Sequence, residues 1–132
     1  ALETVHIDPA ILSYIVEVVQ RTREDHRVIT GASPRASQSL FKTGRASAAI
    51  DGRDYVIPDD IKGVALQIIS HRIMLKPEAK IRGITGMHIT RKILSEVPVP
   101  VILIGMILIL QQILELYLLL HLLLHLPRLK QL

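Results

Sequence analysis

Cysteine and tryptophan are absent from this 132-residue chain, and it has only one phenylalanine and three tyrosines. The lack of cysteine excludes a disulfide framework, a thiolate metal site and a cysteine nucleophile. The shortage of aromatics means that the core is built from aliphatic and alanine side chains. Hydrophobic residues make up 49% of the chain, enough for one compact domain. Such a composition suits packed helices better than a sandwich of aromatic-rich strands. Charge of one sign is not concentrated anywhere. The formal net charge is +4, with Lys and Arg interleaved with Asp and Glu, so no basic stripe marks a nucleic-acid partner and none is expected. The opening residues ALETVHIDPA carry no basic stretch followed by an apolar run. No secretory leader is therefore expected, and a cytoplasmic location is the expectation.

The composition changes at Val97-Pro98-Val99-Pro100, beyond which only Glu115, Arg128 and Lys130 are charged. Each proline disfavours helix in the residue before it, so a boundary is expected here between residues 1–100 and a hydrophobic extension, 101–132. There is neither an internal repeat nor a Gly/Ser-rich linker.

Residues 1–100 read as four helices. Asp8-Pro9 starts the first, with a capping carboxylate followed by a proline where no N–H is needed. Ile11, Leu12, Ile15, Val16 and Val19 form its apolar stripe, and it ends near Arg23 to Asp25. Ser33-Pro34 repeats the signal for the second helix, along which Leu40, Phe41, Gly44, Ala48 and Ala49 follow; the small residues Gly44, Ala46, Ala48 and Ala49 let another helix approach closely, and Gly52 ends it. Residues 51–56 are a turn and a short extended stretch. The third helix starts around Pro58-Asp59-Asp60, with acids at its positive end. It has Ile61, Val64, Ala65, Ile68 and Ile69 as its stripe and runs to about Met74, where Pro77 blocks continuation. The fourth spans about Thr85 to Glu96, with Ile89, Ile93 and Leu94 inward. The expected fold class is all-α, a small orthogonal four-helix bundle followed by a Leu-rich C-terminal helix.

The most informative string is Gly31-Ala32-Ser33-Pro34-Arg35-Ala36. It puts an arginine in the first turn of a helix, where backbone N–H groups are unpaired and the helix dipole is positive. An added guanidinium makes such a site attractive to a phosphate. The plainer reading is a capped helix with a solvated arginine, and residues 31–36 alone do not decide between the two.

The surrounding strings bear on the choice. In order they are Tyr14-Ile15, Thr22-Arg23, the 31–36 string, Leu40, Gly52-Arg53, Tyr55-Val56, Pro58-Asp59-Asp60-Ile61, His71-Arg72 and Val97-Pro98-Val99-Pro100. Over residues 1 to about 100 this pattern resembles the helical lid of the MoxR family of AAA+ ATPases. The resemblance implies that Arg35 is the sensor-2 residue reaching the γ-phosphate, with Ser33 and Pro34 near the nucleotide. It implies ATP and Mg2+ as ligands of the parent protein, with neither held tightly by this fragment. It further implies chaperone-like remodelling of partner complexes by a ring. The expected partners are the AAA+ core of the same protein, neighbouring ring subunits and von Willebrand factor A-type proteins. The chain contains no GxxxxGK[ST] phosphate loop and no acidic pair ending a hydrophobic strand. No catalytic residue is assigned, and the fragment alone is not expected to hydrolyse ATP.

Other residues have plainer readings. Asp59 and Asp60 are helix-start carboxylates rather than a metal or acid pair, His71-Arg72 packs at a helix end rather than contacting a neighbour or nucleotide, and Arg23 and Arg53 are solvated by default, with inter-domain or ion-pair contacts as the alternative. His121 and His125 share a helix face at i, i+4, but lack the further ligands of a zinc site, so no metal is assigned.

Residues 101–126, VILIGMILILQQILELYLLLHLLLHL, depart from the family. The length suits a membrane span, whereas Glu115 near the middle is costly in lipid. Gln111, Gln112, Glu115, His121 and His125 fall within roughly half the helical wheel, an arc that also holds Leu118 and Leu122. Three readings stay open: a membrane or interfacial helix, a helix packed on the lid or on another copy of the chain, and a non-native extension from a shifted reading frame. The rivals to the lid are accordingly a helical interaction module that oligomerises through 101–132, and a small membrane-associated protein anchored by it.

Overall fold

The computed structural model describes residues 2–100 and 103–129. Lys130, one of the expected tail charges, lies outside the described residues, as do residues 101–102. The chain divides into two compact units, Ala1–Pro100 and Val101–Leu132. After a 3-10 turn at Leu2–Thr4, the first unit runs α1 (Pro9–Glu24), β1 (Val28–Thr30), α2 (Pro34–Ile50), α3 (Pro58–Ser70), β2 (Met74–Leu75), α4 (Pro77–Ile81) and α5 (Gly86–Glu96). The second unit holds α6 (Leu103–Leu129). The protein is all-α; the two named strands among its described residues form an antiparallel ribbon that pairs Val28 with Leu75 and Thr30 with Met74.

Helix α1 starts as its sequence directs. Asp8 Oδ1 accepts from the Ala10 N–H at 2.8 Å, and Pro9 takes the first helical position. Its buried face is Ile11, Tyr14, Ile15, Val18, Val19 and Thr22, rotated from the expected stripe. Leu12 and Val16 are 40% and 56% exposed. Apolar residues cover more than half of the helix, with Ser13, Glu17, Gln20, Arg21 and Glu24 on the remaining arc, so spacing alone could not select the face that meets α2 and α5 together. Helix α2 buries Ala36, Leu40, Gly44 and Ala48, one ridge at a spacing of four that lets α3 approach closely. A Cβ on Gly44 would fall 2.5 Å from Ile61 Cδ1. Of the small residues expected to admit a neighbouring helix, Gly44 and Ala48 are buried and Ala46 and Ala49 are not, nor is Phe41. Phe41 instead lies under the Arg45 guanidinium, 5.2 Å from ring centroid to Cζ. Gly52, at φ +77°, turns the chain after α2 in a conformation that favours glycine.

Helix α3 stops at Ser70 with His71 as its C-cap, short of the expected Met74. Residues 74 and 75 are drawn off into β2, and the Lys76 N–H goes on to donate to the Arg27 carbonyl at 2.9 Å. Pro77 opens the short α4 rather than merely ending a helix. Helix α5 begins where Thr85 Oγ1 accepts from the His88 N–H. A Cβ on Gly86 would lie 2.5 Å from the Ser70 carbonyl oxygen, so the start of α5 presses on the end of α3.

Asp60 does more than offset a helix dipole. It is buried, and its carboxylate accepts from Arg53 Nη1 at 2.7 Å and Nη2 at 2.8 Å. It also accepts from the Ile57 N–H at 2.8 Å and from Ser47 Oγ at 3.2 Å. Arg53 thereby takes the ion-pair alternative over the solvated default, and its side chain keeps only 20% of its exposure. Burial is the largest single influence on Asp60 and raises its pKa, but the Arg53 hydrogen bonds, the Ile57 amide and the charge of Arg53 together hold it below the ordinary carboxylate value. Asp25 is held at about 2, first by its side-chain hydrogen bonds from Arg27, with burial opposing.

Helix α6 is apolar on every side, and residues 107–126 are exposed. Ile107–Leu126 is long and apolar enough to cross a membrane, with a mean hydropathy of 2.0. Its rings form a short row, Tyr117 to His121 edge-on at 6.3 Å and His121 to His125 at 4.3 Å.

Replacing Asp60 by Ala leaves Arg53 with only the exposed Asp51 carboxylate, 2.9 Å from its Nη2. It should cost about 3 kcal/mol in urea unfolding, the low end of the range for breaking a buried pair because Arg53 stays partly wet. Asp25 and Asp60 have depressed folded-state pKa values. The stability they contribute is present above the unfolded value near 4 and lost as pH falls through the folded one. Thermal melts should therefore fall off between about pH 4 and pH 2. Deleting residues 101–132 should leave a helical, cooperatively melting unit and remove self-association, read by light scattering after gel filtration. A truncated chain that no longer melts cooperatively would make α6 part of the fold instead.

Candidate functional site

The 31–36 string joins β1 to α2, and its backbone is held by α1. Thr22 lies on the buried stripe of α1 with no exposed surface. Its hydroxyl donates to the Val19 carbonyl at 2.6 Å and accepts from the Ala32 N–H at 2.9 Å. The Ala32 carbonyl in turn accepts from Arg23 Nε at 3.0 Å. Both backbone polar groups of this fully buried residue are thus satisfied by neighbouring side chains of α1. Gly31 makes the approach possible, since a Cβ there would lie 2.8 Å from both N and Cα of Arg23.

Ser33 occupies the N-cap position in an extended conformation, but its hydroxyl makes no capping hydrogen bond. The side-chain cap expected there is absent, and the approach to the helix is held from α1 through Ala32. Pro34 is the first helical residue and Arg35 the second. Ser33, Pro34 and Arg35 are all exposed, and the Arg35 side chain forms no hydrogen bond or ion pair among the described residues. The first turn of α2 contains no acid, in contrast to α3, which has Asp59 and Asp60 there. A cation at a helix N-terminus opposes the dipole by about 0.3–1 kcal/mol. The start of α2 is thus an uncompensated positive end, open to an anion.

The other residues weighed from sequence do not gather around this turn into a catalytic set. Asp60 is spent on Arg53. His71 and Arg72 are exposed at the end of α3. Among the described residues, no group of three or more His, Asp or Glu could hold a metal ion.

The AAA lid domain family matches residues 20–93, more than half of the chain. The chain belongs to this family. The lid is 49% identical over 100 residues to the uncharacterized protein YeaC of Bacillus subtilis, covering 76% of this chain and 31% of that protein. It is 34% identical over 100 residues to Chaperone MoxR1 of Mycobacterium tuberculosis, covering 69% of this chain and 26% of that one. A crystal structure of a protein assigned as an ATPase from Cytophaga hutchinsonii superimposes with a TM-score of 0.72 at 36% identity, over 76% of this chain and 33% of its own. Together these make the chain a C-terminal lid of the MoxR family of AAA+ ATPases. It spans about a third or less of each of these relatives.

In the lid, sequence reasoning located the 31–36 turn but gave Thr22 no role. The signal was available: a threonine continues the stripe of Ile11, Ile15 and Val18, where a polar residue needs a buried partner. The partner lies ten positions on in the chain, at Ala32, and nothing local points to it. For Arg53 the sequence allowed an ion pair as the alternative but did not name Asp60, seven positions on, as its partner.

Gly31→Ala forces a methyl group against the α1 backbone rather than against a yielding side-chain tip. Chemical denaturation should show a loss of about 1–3 kcal/mol, the usual cost of overpacking. Unchanged stability would mean that the close contact of Gly31 with Arg23 is not required.

Proposed function

We propose that this lid senses nucleotide through Arg35 and couples ATP binding and hydrolysis by its parent ATPase to chaperone-like remodelling of partner complexes. The observation that carries the reading is the exposed, unpartnered guanidinium of Arg35 at the acid-free start of α2, on a domain of the AAA lid family. A cation carried on a separate domain can favour ATP over ADP by contacting the phosphate that only ATP possesses. Such a differential is what allows nucleotide state to bias domain position. Arg35 is the contacting residue, with Ser33 and Pro34 beside it. The phosphate loop and the groups that hold Mg2+ belong to the AAA+ core, which is the lid's first partner, followed by neighbouring subunits of a ring. The relative named Chaperone MoxR1 supports the remodelling role, and von Willebrand factor A-type proteins are proposed partners.

The exposed apolar surface of α6 favours a second role for the tail alone, as an association element. Self-association is the reading adopted. Flotation of the chain with phosphatidylcholine vesicles would replace it by membrane attachment, away from a purely cytoplasmic location.

ATP and ADP titrations of the intact ATPase test the Arg35 assignment. A charge-assisted hydrogen bond is worth roughly 1.5–3 kcal/mol, so Arg35→Ala should weaken ATP binding about tenfold to a hundredfold and leave ADP nearly unchanged. Arg35→Lys should recover only part of this, because it keeps the charge but loses the planar fork. Equal ATP affinities for wild type and Arg35→Ala would reduce Arg35 to a solvated helix-start residue.

A further inference from the structure

We infer that Thr22 is a positioning residue for Arg35, acting through a two-sided clamp on Ala32. The inference rests on the nucleotide-sensing reading of Arg35. An exposed arginine can act as a sensor only if the backbone carrying it is fixed, since its own side chain has four rotatable bonds and no partner within the lid. The usual device at a helix start, a side-chain cap, is absent: Ser33 makes no capping bond. The fixing comes from α1. The Thr22 hydroxyl takes the Ala32 N–H at 2.9 Å, while Arg23 Nε takes the Ala32 carbonyl at 3.0 Å. The peptide groups on both sides of Ala32 are thereby immobilised three residues before Arg35.

The surroundings leave the clamp no slack. Ala32 and Ala36 have no exposed surface, and Gly31 packs directly on the backbone of Arg23. The Thr22 hydroxyl is itself oriented by its bond to the Val19 carbonyl at 2.6 Å, so its lone pair is directed at the Ala32 N–H. Adjacent positions of α1, the buried Thr22 and the exposed Arg23, act on the two polar groups of one residue. The C-terminal turn of α1 thus sets the direction in which α2 leaves, and with it the place from which Arg35 reaches.

Two measurements test this. In the full 132-residue chain, amide hydrogen exchange and side-chain relaxation compare wild type with Thr22→Val, which keeps the shape and removes the hydroxyl. Exchange at Ala32 should accelerate at least tenfold and the Arg35 Nε order parameter should fall, while the amides of Val18 and Leu40 stay protected. Thr22→Ser should restore both. Unchanged Ala32 exchange would overturn the clamp. In the intact ATPase, Thr22→Val should lower the preference for ATP over ADP about fivefold and add nothing in an Arg35→Ala background. An equal loss in both backgrounds would show a general effect on the fold and would also overturn the proposal. If Arg35→Ala itself leaves nucleotide preference unchanged, the sensing reading fails while the exchange result still judges the clamp. Should Thr22→Val not fold, Arg23→Ala at its exposed position removes the other half of the clamp and carries the same comparison.

Discussion

The Asp60 carboxylate accepts four hydrogen bonds from three parts of the chain: Ser47 on α2, Arg53 in the following loop and the Ile57 amide before α3. A buried carboxylate is tolerable only with its lone pairs occupied and its charge matched. Meeting that requirement draws the loop in, and Arg53 Nη1 also donates to the Tyr55 carbonyl at 3.2 Å. With the loop held, Tyr55 can bridge to His6, which brings the start of the chain alongside. The end of α2 is therefore fixed by electrostatics, while its middle is fixed by the Ala36, Leu40, Gly44 and Ala48 ridge against neighbouring helices.

The start of α2 is fixed differently, by neutral hydrogen bonds from Thr22 and by the missing side chain of Gly31. Helix α2 is thus restrained at both ends and along its length. That arrangement suits a domain that moves as one body, because a displacement of α1 or α3 carries α2, and Arg35 with it. The side-chain bonds of Thr22, Arg23, Ser47, Arg53 and Asp60 serve this rigidity. Among the described residues Arg35 is left out of that network, as the proposed role of a nucleotide sensor requires. An intramolecular acid beside it would compete with a phosphate.

Helix starts were legible wherever a short polar residue precedes a proline or an apolar run, as at Asp8-Pro9 and Thr85-Gly86, because capping is chemistry between neighbours. Even there, position and mechanism separated at Ser33, which begins α2 without capping it. Helix ends were harder. Residues 71–75 carry Ile73, Met74 and Leu75, which would continue an apolar helix, and only pairing with residues 28–30 converts Met74 and Leu75 to strand. Strand pairing across more than forty residues leaves no mark in local periodicity.

By itself the sequence determined the all-α class, the starts of the four main helices, the exposed arginine in the first turn of α2 and the apolar character of α6. Each depends on backbone preferences or on contacts within a few positions. Only the tertiary structure decided that Leu12 and Val16 of α1 face out while Thr22 faces in, that Asp60 is enclosed rather than wet, and that Ala32 is gripped from both sides. Each of those depends on which surface of a helix is covered. A helix with apolar residues on most of its circumference offers several faces of similar hydrophobic gain, and the choice falls to the one that also satisfies buried hydrogen bonds to distant parts of the chain.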